Sequence, residues 1–167
     1  MKRLFKTILG AAAVALMYSC AVTPVRTLSG LDRANFVSSV NGKATDLYTL
    51  TNASGMEVCV TNFGGRIVSV MVPDRNGEMK DVVLGFDNIA NYADKVKSPS
   101  DFGASIGRYA NRIKNGVIVV DGETIQLPKN NFGHCLHGGP DGWQYQVYDA
   151  VQPDGSSVVM TMVSPDG

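Results

Sequence analysis

Val117-Ile118-Val119-Val120-Asp121-Gly122-Glu123-Thr124-Ile125-Gln126-Leu127 is the stretch that decides the fold. Two β-rich runs flank a two-residue Asp-Gly step. A type I′ turn needs positive φ at both central positions, which Gly adopts freely and Asp tolerates. The spacing therefore predicts an antiparallel hairpin with strands at 117–120 and 123–127.

The same grammar extends outward in both directions. Residues 46–51 and 56–61 flank Asn52-Ala53-Ser54-Gly55 and read as another hairpin. Residues 66–72 form a Val/Ile-rich run stopped by Pro73-Asp74-Arg75-Asn76-Gly77, with a short strand expected at 81–84. Toward the end, 145–151 and 157–163 pair around Pro153-Asp154-Gly155. The chain carries 18 glycines and 7 prolines, which punctuate these runs, and no amphipathic helix is expected after Cys20. Short strands with turn chemistry between them predict an all-β antiparallel sandwich or barrel. Two stretches resist the pattern, 88–107 and 130–142, and long irregular segments on a β-scaffold often carry function.

The 15 basic and 15 acidic side chains cancel, but unevenly. Lys2, Arg3 and Lys6 stand in a leader without acids; setting them aside leaves 12 basic against 15 acidic groups. Such a chain lacks the basic footprint of a nucleic-acid binder. The leader is a positive n-region followed by an apolar run from Thr7 to Met17, the pattern of an export signal. Leu16-Met17-Tyr18-Ser19-Cys20 resembles a bacterial lipobox, with Cys20 as the lipidated N-terminus. The expected organisation is a signal peptide over 1–19, a lipid-anchored tether over 20–35 and a β-sandwich over 36–167, giving an exported, membrane-anchored lipoprotein. Cys59 falls in an alternating apolar run, where a free thiol acts as a small hydrophobe. A disulfide between Cys59 and Cys135 is compatible with export, though nothing in the spacing supports it.

Two segments concentrate polar chemistry. Gly107-Arg108-Tyr109-Ala110-Asn111-Arg112-Ile113 joins two arginine forks to an amide, a mixture that suits sugar hydroxyls or, equally, structural bridges. Its glycines lack the spacing of a phosphate loop. His134-Cys135-Leu136-His137-Gly138-Gly139 holds both histidines of the chain. Three possible ligands within four residues make a poor zinc site, and no metal is expected. No nucleophile elbow accompanies them. One imidazole hydrogen-bonding a ligand, with Gly138-Gly139 allowing close backbone approach, is the functional reading beside a satisfied loop histidine.

Taken in order, four blocks resemble the aldose 1-epimerases, also called galactose mutarotases. They are the run from Thr61 to Gly77, Asp81-Val82-Val83-Leu84-Gly85-Phe86-Asp87-Asn88, the run from Phe102 to Gly116, and Leu136-His137-Gly138-Gly139 with Gly142-Trp143. The resemblance implies the N-terminal part of an antiparallel β-sandwich of the galactose mutarotase type with an open sugar cleft. It also implies interconversion of the α and β anomers of free hexoses, such as glucose and galactose, without a cofactor. In that family a carboxylate base takes the anomeric hydroxyl proton and a histidine acid protonates the ring oxygen; the ring opens, the aldehyde turns, and the ring closes on its other face.

Carried over by position, Asn111 and Arg112 match the substrate-binding Asn-Arg pair, and His137 matches a histidine near the reacting centre. His134 has no counterpart. The family's acid, in an Asn-His-Ser-Tyr-Phe-Asn-Leu-like motif, and its glutamate base have no match here. The expectation is that catalytic residues lie beyond Gly167, that this chain is a C-terminally truncated epimerase, and that alone it is inactive. Trp143 and Tyr148 are expected in the core. The alternatives are an exported, non-catalytic carbohydrate-binding lipoprotein module and an epimerase of phosphorylated sugars, which export disfavours.

Overall fold

A computed structural model describes residues 26–165; the expected export signal, Cys20 and the first part of the expected tether lie outside the described residues. The described part of the expected tether lies against the sheet. The Leu28 N–H donates to Glu57 Oε1 at 2.7 Å, and Leu31 packs on the core. A single 3₁₀ turn at Arg33–Asn35, capped by Asp32, leads into the first strands.

Strands β1 (Ser38–Val40) and β2 (Lys43–Thr45) form a small hairpin. The central sheet follows: β3 (Leu47–Thr51), β4 (Glu57–Thr61), β5 (Arg66–Pro73) and β6 (Met79–Asp81), antiparallel and in chain order. Period-two alternation places Glu57, Cys59 and Thr61 on the buried face of β4. The core there comprises Phe36, Leu47, Cys59, Phe63 and Val68, joined by Ile89 and Tyr92.

The strand expected at 81–84 sits two residues earlier. Asp81 ends it, because its Oδ1 accepts the N–H groups of Val70 and Val83, each at 3.0 Å, and so turns the chain out of the ladder. A one-turn helix, α1 (Ile89–Ala93), occupies part of the irregular 88–107 segment. It was not expected, since five residues are too few to show a period. Asn88 caps it by accepting from Asn91 N–H at 2.8 Å, a bond worth about 1 kcal/mol. Its Ile89 and Tyr92 side chains are buried against the sheet.

Beyond the loop lie β7 (Arg112–Ile113), β8 (Val117–Val120) and β9 (Glu123–Gln126). Asp121 and Gly122 turn with φ of 50° and 84°, the expected I′ geometry. Next come β10 (Cys135–Leu136), β11 (Asp149–Val151) and β12 (Val159–Thr161). The final pair is shorter than 145–151 and 157–163 would give. Trp143–Tyr145 form a 3₁₀ turn, and Gln146 and Tyr148 bond Gly64 and Asn62 instead, docking this segment on the end of β4. Tyr148 is buried, as expected of a core aromatic, while Trp143 is half-buried. The outcome is an all-β, antiparallel architecture with almost no helix.

Candidate functional site

The two polar segments meet through a ladder of only two residue pairs. Strand β7 pairs with β10, Ile113 opposite Cys135 and Arg112 opposite Leu136. At one end, the Asn111 N–H donates to His137 Nδ1 at 3.0 Å, and the His137 N–H donates to the Asn111 carbonyl at 3.0 Å. At the other, the Asn115 N–H donates to His134 Nδ1, also at 3.0 Å. Each histidine thus clasps a backbone N–H of an asparagine in left-handed conformation, Asn111 at φ 60° and Asn115 at φ 56°. Asn tolerates that region better than other non-glycine residues. With Nδ1 accepting, each neutral imidazole carries its proton on Nε2. For His134 this is the satisfied loop histidine. Cys135 faces inward, fully buried, with its Sγ 2.6 Å from the Tyr109 hydroxyl. The His-Cys-His cluster therefore does not converge on one point. Cys59 and Cys135 are both free thiols, and no disulfide joins them.

Close backbone contact fixes the loop after His137. Gly138 has φ 78°, and a Cβ there would lie 1.9 Å from the Gly107 carbonyl oxygen. A Cβ on Gly142 would meet the His137 carbonyl at 2.5 Å. The buried Gln144 Nε2 donates to that same carbonyl at 2.8 Å. His137 is consequently held by both flanks of its own loop.

A cleft of about 440 Å³ opens beside it, lined among others by Lys95, Asp101, Asn131, His137, Gln144 and Tyr145. The Lys95 Nζ donates to the Pro140 carbonyl at 2.6 Å and lies 4.1 Å from the Tyr145 ring centroid. Burial pushes the Tyr145 hydroxyl up, and the Asp101 charge adds to this. Asp101 Oδ1 is buried without a partner among the described residues. Asn111 and Arg112 are exposed and do not line the cleft; they join its wall through His137 and Asn131. A second cavity, of about 490 Å³, lies between Arg108, Tyr109, Trp143 and Ser164. It is larger but has no imidazole in its lining, so the His137 cleft is the better candidate.

Underneath, Arg66 organises the loops. It is wholly buried, and its guanidinium donates to the carbonyls of Ser100, Phe102 and Gln144 at 3.1, 3.2 and 2.8 Å. Phe63 and Tyr92 flank its plane, with ring centroids at 5.3 and 5.2 Å. Burial pulls its pKa below the usual arginine range, an effect that the Asp101 charge opposes. The cleft's Asp101 and Gln144 thus hang on one buried cation. Sequence reading passed over Asp101, Gln144 and this role of Arg66; only the length of the irregular 88–107 segment signalled the first.

Donors and acceptors of both kinds, converging on a shallow cleft beside a fixed imidazole, suit a polyhydroxyl ligand. The family model of aldose 1-epimerase matches residues 46–167. This chain belongs to the aldose 1-epimerase family. A probable aldose 1-epimerase of Arthroderma benhamiae is 35% identical over 139 residues, covering 81% of this chain and 31% of that one. A galactose mutarotase of Bos taurus is 38% identical over 112 residues, covering 67% and 32%. The crystal structure of an aldose epimerase homologue from C. elegans superposes with a TM-score of 0.66 at 34% identity, covering 71% of this chain and 36% of the other. The all-β reading and the galactose mutarotase-like fold agree with that likeness. The chain spans about a third of the length of the curated relatives it matches.

Proposed function

We propose that this chain carries the sugar-contacting part of an aldose 1-epimerase that interconverts the α and β anomers of free hexoses such as glucose and galactose. One observation carries the reading. The three residues that the resemblance matches to sugar-contacting positions, Asn111, Arg112 and His137, are linked by the β7–β10 ladder and the paired Asn111–His137 hydrogen bonds. In this reading the Arg112 fork and the Asn111 amide hold ring hydroxyls, and the His137 Nε2–H donates to an oxygen near the anomeric carbon.

Anomer exchange needs an acid and a base on either side of the hemiacetal. The 167 residues contain neither the Asn-His-Ser-Tyr-Phe-Asn-Leu-like motif nor a matching glutamate, so we propose that the chain alone binds aldoses without turning them over. Polarimetry of freshly dissolved α-D-glucose and α-D-galactose tests this, and the predicted rate is that of buffer. Catalysis well above it would contradict the proposal and direct attention to Asp101 and His137, which share the cleft.

The same contacts, without catalysis, support a second reading as an exported carbohydrate-binding module. The coding sequence after Gly167 separates the two, since the acid and base motifs there mean an enzyme. We further propose that the protein is an exported lipoprotein anchored through Cys20. Failure of globomycin to accumulate a precursor would defeat that part.

A further inference from the structure

The segment before β10 contains two consecutive asparagines that no motif singled out. Asn130 treats Leu136 as a strand would: its Nδ2 donates to the Leu136 carbonyl at 3.0 Å and its Oδ1 accepts the Leu136 N–H at 2.8 Å. This ties the segment to the residue just before His137. Asn131 is then fixed by its own backbone, which exchanges two hydrogen bonds with His134 at 3.1 and 2.8 Å. Between them Phe132 and Gly133 turn at φ 46° and 79°, the geometry of a type I′ turn. The Asn131 side chain, so held, accepts the Arg112 Nε–H on Oδ1 at 2.9 Å.

That bond constrains the Arg112 side chain. Among the described residues no carboxylate pairs with Arg112. An exposed arginine has many rotamers, and a hydrogen bond at Nε fixes the plane of the guanidinium while leaving both Nη groups for a ligand. Asn131 is itself a wall of the cleft that contains His137. We propose that Asn131 is a positioning residue, which aims the Arg112 fork at a sugar bound beside His137. The sugar half of this rests on the function proposed above; the orientation of Arg112 does not.

The test uses the full 167-residue chain in detergent, labelled with ¹⁵N, as wild type, Asn131→Ala and Asn131→Asp. Aspartate keeps an acceptor for Nε–H, whereas alanine removes it. The Arg112 Nε–H, assigned by its loss in Arg112→Lys, should exchange slowly with water in wild type and Asn131→Asp and several-fold faster in Asn131→Ala. Galactose affinity should fall roughly tenfold in Asn131→Ala and stay near wild type in Asn131→Asp, with melting temperatures unchanged. Equal Nε–H exchange in wild type and Asn131→Ala, or equal galactose affinity, would overturn the proposal. Should wild type bind no galactose, the sugar reading fails, while the Nε–H comparison still decides whether Asn131 orients Arg112.

Discussion

Asn111 and His137 hold each other twice: a backbone N–H of the first reaches the imidazole of the second, and a backbone N–H of the second reaches the carbonyl of the first. They are 26 residues apart in sequence. The pairing fixes the imidazole tautomer before any ligand arrives, with Nδ1 as acceptor and Nε2 as donor. A long-range ¹H–¹⁵N spectrum at neutral pH should show a pyridine-like Nδ1 and a protonated Nε2 for His137. His137→Ala should cost only about 1 kcal/mol in urea unfolding, because water can reach the freed Asn111 N–H. A proton on Nδ1 of the neutral ring would contradict the geometry.

Arg66 should be far less forgiving. Arg66→Met leaves the buried Gln144 carbonyl and the part-buried carbonyls of Ser100 and Phe102 without their donor. The expected loss is about 3–5 kcal/mol, since each uncompensated buried group costs about 1–3 kcal/mol. Urea denaturation measures it. Arg66→Lys should recover little, because one ammonium cannot span a fork's three acceptors.

How much of this could be read beforehand depends on where the information lies. Asp121-Gly122 gave the β8–β9 hairpin outright, because two adjacent residues specify the turn. Asn52 to Gly55 did the same for β3 and β4. The β7–β10 ladder has two residues per strand, too few for alternation, so only the family resemblance placed Asn111 and Arg112 with His137. Arg66 opens a strand and reads as a surface charge, since arginine is rarely buried without a carboxylate. Its role depends on carbonyls 34, 36 and 78 residues away, which no local pattern reports.

Tyr109 predicts a pH dependence. Burial, and then the hydrogen bond to the Cys135 thiol, push its hydroxyl up to about 12. A phenol whose folded pKa is raised contributes stability that is fully present below the ordinary value of 10.0 and is lost as pH rises from there through about 12. Wild type should therefore lose unfolding free energy faster than Tyr109→Phe above pH 10. The 295 nm difference spectrum between the two should show almost no Tyr109 phenolate at pH 10, where an ordinary tyrosine is half ionised. Parallel stability curves would contradict the assignment.

Several strand faces leave valines in water. Val119 on β8, Val151 on β11 and Val159 on β12 are 65%, 66% and 58% exposed, in two-stranded sheets with open edges. Such edges template association, so the purified chain is expected to aggregate as its concentration rises. Val119→Lys with Val159→Lys should raise the soluble concentration, read by light scattering, and leave the melting temperature within a few degrees. A wild-type chain that stays monomeric at high concentration would contradict this.

The central claim is that a free aldose sits against Asn111, Arg112 and His137. D-galactose titrated into the ¹⁵N-labelled full chain tests it most directly, with Arg112→Ala/His137→Ala as the comparison. Saturable shifts of the Asn111 amide and the His137 Nε2–H are predicted in the wild type, with no saturable shift of the Asn111 amide in the double variant. Galactose that leaves both signals unmoved, or that binds the double variant as well as the wild type, would contradict it.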